Sequence, residues 1–181
     1  MTYKYTFFWD GPFSQWRPTT FIVQGMQYNC AEQYMMHQKA LLFNDTAMAK
    51  LIMETSSPRL QKQYGRSVGD FDWAVWKHYA KDIVYVGNHA KFTQHMDLLL
   101  RLIATSPTIL VEASPTDSVW GIGLDAQKAS ITPQELWPGT NWLGEVLTQL
   151  RDDLIANKPF DINEYQYLDV IDNHFLFNPQ P

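Results

Sequence analysis

VEASPTDSVWGIGL, residues 111–124, carries the punctuation from which the fold of this chain is read. The run just before it, Thr-Ile-Leu-Val at 108–111, is apolar and β-rich enough to lie in a buried sheet. Two carboxylates follow, Glu112 and Asp117, flanking Ala-Ser-Pro-Thr, and Trp120 leads into Gly121-Ile122-Gly123. Pro115 and the two glycines bar a continuing helix or a central strand, so the chain turns here. Acids, an aromatic plate and backbone without Cβ atoms are thus gathered on a loop at a strand end. Such a loop suits a flat ring and a polar, phosphorylated sugar. It suits equally a plain turn, with Asp117 and Ser118 capping backbone groups and Trp120 plugging the core.

Upstream of that loop the pattern is mostly helical. Residues 4–9 read as a strand closed by Asp10-Gly11-Pro12, and residues 19–23 and 26–28 as a hairpin turned at Gln24-Gly25. Together they predict a small sheet near the N-terminus. The best-defined helix follows. Asn29 predicts its N-cap, and Glu32, three residues on, completes a capping box. Ala31, Tyr34, Met35, Gln38, Leu41 and Leu42 share one face at helical spacing, with Glu32, Met36, Lys39 and Phe43 in a stripe beside it. At ~100° per residue, Glu32 and Lys39 point within roughly 20° of each other, about 10.5 Å apart along the axis. Glu32 reads as a capping acid and Lys39 as a snorkelling side chain, or both head groups look into a cleft.

Further helices are predicted at 45–53, from Ser57-Pro58 to Gly65-Arg66, from Asp72 to a break at Gly87-Asn88, and at 91–104. Arg66, after a helix-ending glycine, is a surface charge or a bidentate phosphate clamp. Trp76 and Phe92 read as packing. Past the loop, Thr132-Pro133 opens a short helix to Leu136, and Asn141 caps one reaching about Ala156. Residues 160–181 wrap the body or form a late strand.

Composition bounds the function. A chain of 181 residues fits one domain with a real core, and 45% hydrophobic with 18% charged residues is globular. Its formal charge of −5 argues against broad nucleic-acid binding, which needs a net basic face. Cys30 is the only cysteine, so no internal disulfide or thiolate zinc cluster forms, and the five histidines lack metal-type pairing. The absence of a secretory or membrane-length apolar run predicts a cytoplasmic protein.

Four segments together resemble one family: GPFSQW; VQGMQYNCAEQYMMHQKA; KFTQHMDLLLRLIATSPTILVEASPTDSVWGIGL; and GTNWLGEVLTQLR. The sequence resembles the YbiA-like, or NADAR (NAD- and ADP-ribose-associated), family from about Phe7 to Arg151. The shared pattern is a hydrophobic-Gly turn before an acid-bearing helix ending in Lys-Ala, then Val-Glu-Ala-Ser, Asp, Trp-Gly-Ile-Gly and Asn-x-Leu-Gly. Departures are Cys30 before Ala-Glu, Gln33-Tyr34 after it, and the tail beyond Lys158.

The resemblance implies an α+β, mostly α-helical fold: a single YbiA-like domain over 1–158, with small β portions at the N-terminus and near the central loop. Residues 159–181 are expected as an extension packing on it. It also implies an N-glycosidase that cleaves a ribose–nitrogen bond. Family substrates are phosphoribosylamino-pyrimidine intermediates of riboflavin synthesis and ADP-ribose attached to guanine in nucleic acid. Carried over, Glu32 and Lys39 match the helix's acid and lysine, and Glu112, Asp117, Trp120, Gly121 and Gly123 the loop. Ser14, Trp16 and Asn141 match flanking positions.

Breaking such a bond builds positive charge at C1 and negative charge on the departing base. Lys39 is expected as a C1-directed or imine-forming group, Glu32 and Asp117 as acid/base carboxylates, and Glu112 as an orienter. Trp120 stacks on the base, Gly121 and Gly123 let backbone approach a phosphate or ribose, and Ser14, Trp16, Arg66 and Asn141 join in binding. No cofactor and no metal is expected. The expected partner is a ribosylated or phosphorylated small molecule, or ADP-ribosylated guanine in nucleic acid, and no membrane. The competing class is a non-catalytic ADP-ribose or nucleotide-binding module, which would not need Lys39 together with three acids. An adaptor using its aromatic surface explains the tail but not the central loop.

Overall fold

The structure, a computed structural model, describes residues 4–177, with side chains as far as His174. It divides into two compact units, one of residues 1–17 and 92–158, the other of 18–91 and 159–181.

The first unit is built on a parallel pair. β1 (Tyr5–Phe8) runs alongside β4 (Ile109–Glu112), in register from Tyr5↔Ile109 to Phe8↔Glu112. The sequence predicts a local N-terminal sheet. Instead, β1 pairs with the distant apolar run, and the hairpin forms a separate sheet. Parallel pairing needs a long connection between strands, which no local pattern announces. Val111, Ile122 and Ala129 form a core cluster, with Tyr5, Phe7 and Trp137 packed against it. The unit's helices are α5 (Met96–Ile103), α6 (Ala126–Ile131) and α7 (Trp142–Ile155). α6, unforeseen from sequence, is capped by Asp125, whose Oδ1 accepts from Lys128 N at 2.8 Å. The expected helix at 132–136 is only a 3-10 turn, Gln134–Leu136.

α7 lies against β4, and two residues permit it. Asn141 sits in the left-handed region (φ 58°) and makes no side-chain cap, contrary to expectation. Its amide turns to β4 instead: Oδ1 accepts from Glu112 N at 2.9 Å and Nδ2 donates to Leu110 O at 3.0 Å. A Cβ on Gly144 would run into Leu110 O and that same amide. The Asn-x-Leu-Gly run is therefore a docking device.

The second unit holds the hairpin β2 (Phe21–Val23) and β3 (Met26–Tyr28), turned by Gln24 and Gly25, both at positive φ as a two-residue hairpin loop requires. Around it lie α1 (Ala31–Leu42), α2 (Thr46–Glu54), α3 (Pro58–Arg66), α4 (Trp73–Thr93) as far as Lys91, and α8 (Tyr167–Phe177). Asp45, Ser57 and Asp72 accept backbone N–H bonds at the starts of α2, α3 and α4. The N-cap of α1 is Cys30, not Asn29, and no side chain caps it. Gln33 reaches back in place of Glu32, its Oε1 accepting from Asn29 N at 2.8 Å. Glu32 itself is buried.

α4 shows no break at Gly87-Asn88. A Cβ on Gly87 would meet the Tyr34 ring at 2.5 Å, so the glycine admits a close neighbour and the helix continues. Within the described part of the tail there is no strand: α8 packs on α1, and the buried Tyr167 and Tyr34 hydroxyls bond at 2.6 Å, so this part lies against the body of its unit. The part of the expected extension beyond residue 177 lies outside the described residues. Among those described, no helix is long and apolar enough to cross a membrane.

Candidate functional site

In the second unit, the lysine of α1 is held by a small shell. Lys39 Nζ donates to Gly65 O at 2.7 Å, at the end of α3, and stands over the Phe71 ring at 4.1 Å and the Trp76 ring at 5.5 Å. Gly65 itself lies flat on Met36, whose side chain leaves no room for a Cβ there. Burial pulls the Lys39 ammonium down to about 8, the nearby Arg66 guanidinium pushes the same way, and the Glu32 carboxylate opposes both. The sequence-predicted pair Glu32–Lys39 thus feels each other's charge, with Arg66 exposed at the margin. Glu32 is 3% exposed, and its Oε1 is enclosed without a hydrogen bond, although the residue is engaged elsewhere.

Sequence reasoning missed Phe71 and Gly65 here. Neither stands at any spacing from Lys39 that a periodicity could pick out. Trp76 is the packing residue it was read as, buried to 4%, and one face of it also serves the lysine. Lys91, fully buried on α4, was also missed. Burial pushes the Cys30 thiol up to about 11, with Glu32 reinforcing and Lys91 opposing.

In the first unit, the loop after β4 is tied down on every side. Asp117 Oδ1 accepts from Val119 N at 3.0 Å and Trp120 N at 2.9 Å. Carbonyls of Ser118, Val119, Trp120 and Gly121 accept N–H groups of residues 140–143, so the start of α7 is satisfied by the loop itself. Gly121 is packed between Ser114 and the carbonyls of Glu112 and Asp117, where a Cβ would sit at 2.9–3.0 Å. Gly123, at φ 72°, donates its N–H to Asp117 O at 3.0 Å. These two glycines serve the loop's own geometry. Trp120 is half-buried, edge-on to Trp142 at 5.5 Å and 88°. Glu112 is half-buried, its backbone held by Asn141.

Ser14 and Trp16 sit on the turn after β1, where Ser14 Oγ accepts from Trp16 N at 3.2 Å. The structure therefore gathers Ser14, Trp16, Glu112, Asp117, Trp120, Gly121, Gly123 and Asn141 in the first unit, and Glu32, Lys39 and Arg66 in the second. Among the described residues, no group of three or more His, Cys, Asp or Glu is arranged to hold a metal ion.

A desolvated lysine and a buried acid share one helix of the second unit, and the first unit carries a Glu/Asp/Trp-Gly-Ile-Gly loop behind a strand; perturbed ionisable groups of the first kind mark candidate functional sites. The NADAR domain family matches residues 7–155, and the chain belongs to that family. It is 47% identical over 146 residues to an N-glycosidase of Acanthamoeba polyphaga mimivirus, covering 78% of this chain and 86% of that one. It is 30% identical over 148 residues to the N-glycosidase YbiA of Escherichia coli K12, covering 82% and 84%. The solution structure of E. coli YbiA matches with a TM-score of 0.71 at 28% identity, over 87% of this chain and 89% of that one. The fold is thus a single YbiA-like domain, mostly helical with few short strands.

Proposed function

We propose that this protein is an N-glycosidase that hydrolyses a ribose–nitrogen bond, in a phosphoribosylamino-pyrimidine or in ADP-ribose linked to guanine. Its standing as a hydrolase of N-glycosyl bonds rests on the family and on relatives that bear that name. The observation that carries the catalytic reading is Lys39: an amine whose proton is held weakly enough, near 8, to be lost close to neutral pH. Lysines desolvated among aromatic rings and beside another cation are activated nucleophiles.

The roles follow from the charges the reaction develops. As the bond breaks, the base leaves with a proton from a carboxylic acid, and water completes C1. Glu32 and Asp117 are the acid/base carboxylates in this reading. The free amine of Lys39 adds to C1 of the open-chain sugar and displaces the base nitrogen, which leaves protonated, and water hydrolyses the resulting lysine imine to the sugar aldehyde and the free amine; otherwise Lys39 bonds the ribose hydroxyls. Glu112 orients ribose or base, Trp120 stacks on the base, and Ser14, Trp16, Arg66 and Asn141 contribute to binding. Gly121 and Gly123 give the loop its approach.

The test is chromatography of freed base from the two substrates side by side, with Lys39→Ala and Asp117→Ala as controls. Release from either substrate, abolished in Lys39→Ala while the fold persists by circular dichroism, is the expected result. Normal turnover in that variant removes the lysine from the mechanism. Absence of release together with ligand-dependent thermal stabilisation replaces the enzyme by a nucleotide-binding module.

A further inference from the structure

We infer that Lys91 is a positioning residue for Glu32: it is the buried cation that holds this carboxylate ionised, so that Glu32 meets the positive charge at C1 as an anion and is not the acid that protonates the base. The inference rests on the glycosidase reading above and divides a labour that this reading leaves shared between carboxylates.

Two contacts fix how α4 runs along α1. Near the start of α4, the Trp76 ring lies 5.5 Å from Nζ of Lys39, in the last turn of α1. Further along, Gly87 is pressed on the Tyr34 ring, where a Cβ would sit at 2.5 Å. As α4 advances from Trp76 to Gly87, α1 is followed backwards from Lys39 to Tyr34, so the two helices run antiparallel. Lys91 stands one turn beyond Gly87, on the same side of its helix. One turn before Tyr34 is Cys30, the N-cap of α1. α4 therefore delivers Lys91 to the first turn of α1, the turn that holds Glu32. The Cys30 thiol registers both charges, Glu32 holding its proton on and Lys91 easing it off.

Burial makes the two groups depend on each other. Lys91 is fully buried and Glu32 is 3% exposed. Out of water, an ion without a counter-charge gives up its charge. The N-terminal end of a helix carries partial positive charge, which suits a carboxylate and repels an ammonium. An ammonium at that end needs an acid beside it, and Glu32 is the acidic residue of that turn. In return Lys91 joins the helix end and Lys39 in keeping Glu32 charged. The other ionisable groups packed around α1 lie elsewhere along it. Arg66 of α3 acts at the Lys39 end, and His37 lies against Tyr28. Tyr167 and His174 of α8 meet Tyr34 and Leu42, and Asp82 of α4 acts on Tyr167.

A carboxylate held in this way has no proton to give. It stabilises the cation that develops at C1, or takes a proton from the attacking water, and the proton for the leaving base comes from another group.

The experiment compares Lys91→Met, which removes the charge, with Lys91→Arg, which keeps it. Its first readout is the Glu32 side chain itself, followed against pH by carboxyl-carbon NMR. In wild type Glu32 should be ionised at about pH 7; in Lys91→Met its titration should move up by about one pH unit or more, and in Lys91→Arg it should stay near that of wild type. The second readout is turnover. The acid limb of kcat should move up with the carboxyl titration, lowering kcat on that limb about tenfold or more while KM changes little, and Lys91→Arg should restore most of it. A Glu32 that is protonated at neutral pH in wild type, or whose titration is unmoved in Lys91→Met, overturns the inference. Turnover lost equally in both variants also overturns it, because the amine itself then reacts. Should Lys91→Met fail to fold, Glu32→Gln/Lys91→Met decides by urea unfolding: a double variant that folds again upholds the pair, and one that also fails overturns it. Should wild type free no base from either substrate, the glycosidase reading fails by itself, and the carboxyl titration still decides whether Lys91 holds Glu32 ionised.

Discussion

At the scale of the residue, Lys39 sets the behaviour with pH. Its ammonium loses a proton near 8 because burial and Arg66 outweigh Glu32. If the free amine is the reacting form, kcat/KM rises with pH through a limb centred near 8. The Phe71 ring affects that limb in two opposing ways. It attracts the ammonium, worth ~0.5–2 kcal/mol, and it keeps water away from it. Burial is the larger cause of the shift, so Phe71→Ala should move the limb to higher pH, toward 10.5. A limb that stays in place, or moves down, assigns the lowered value to something other than burial by this ring. Tyr167 offers a residue-scale test of stability. Its hydroxyl bonds that of Tyr34 in a fully buried site, and Tyr167→Phe strands the partner at a cost of about 1–3 kcal/mol. Urea denaturation measures it, and a loss below ~0.5 kcal/mol would show the Tyr34 hydroxyl satisfied by other means.

At the scale of the element, α8 belongs to the core of its unit. Besides Tyr167, it buries Leu168 and Ile171, and His174 Nε2 meets Leu42 O at 3.1 Å at the end of α1. Ahead of it, Phe160 stacks on His89 at 3.7 Å and 11°. A chain cut after residue 158 should lower the unfolding midpoint and weaken turnover together, since α1 carries Glu32 and Lys39. A truncated chain as stable and active as the whole would make the segment dispensable. This element was poorly legible in the sequence because its apolar residues follow an aromatic, proline-bounded stretch with no cap to announce a helix. α1 was legible in its period and in the placing of Glu32 and Lys39 along one stripe. Its cap was misplaced by one residue because Gln33 competes with Glu32 for the same backbone donor. The false break in α4 has a similar source: a glycine selected for contact with Tyr34 looks, along one dimension, like a glycine selected to end a helix. The loop after β4 was legible as a turn with acids. That its amides and carbonyls are bound to one another and to the start of α7 depends on residues 140–143, and no local pattern carries that.

At the scale of the whole molecule, acid sensitivity has a named source. His37 is buried against Tyr28, whose hydroxyl lies 3.1 Å from Nδ1, and burial pulls its proton affinity down to about 4 from 6.5. The folded state thus holds fewer protons than the unfolded chain between those values. Stability from this group is present in full above about 6.5 and is lost as pH falls toward 4, by roughly 3 kcal/mol in total. Urea midpoints at about pH 7 and pH 4.5 should differ accordingly, and His37→Gln should shrink the difference; an equal fall in both proteins places the acid lability elsewhere. Asn141 has a consequence of another kind. With one acceptor on Glu112 N and one donor on Leu110 O, its amide occupies two of the ladder positions where a third strand would add to β4; Thr148 Oγ1 accepts from Leu110 N and Ile122 N donates to Glu112 O at the other two. Open strand edges recruit strands from other molecules. Asn141 and Thr148 of the α7 segment, with the loop's Ile122, act as stoppers on that edge, so the chain guards against sticking to its own copies with the same contacts that seat α7.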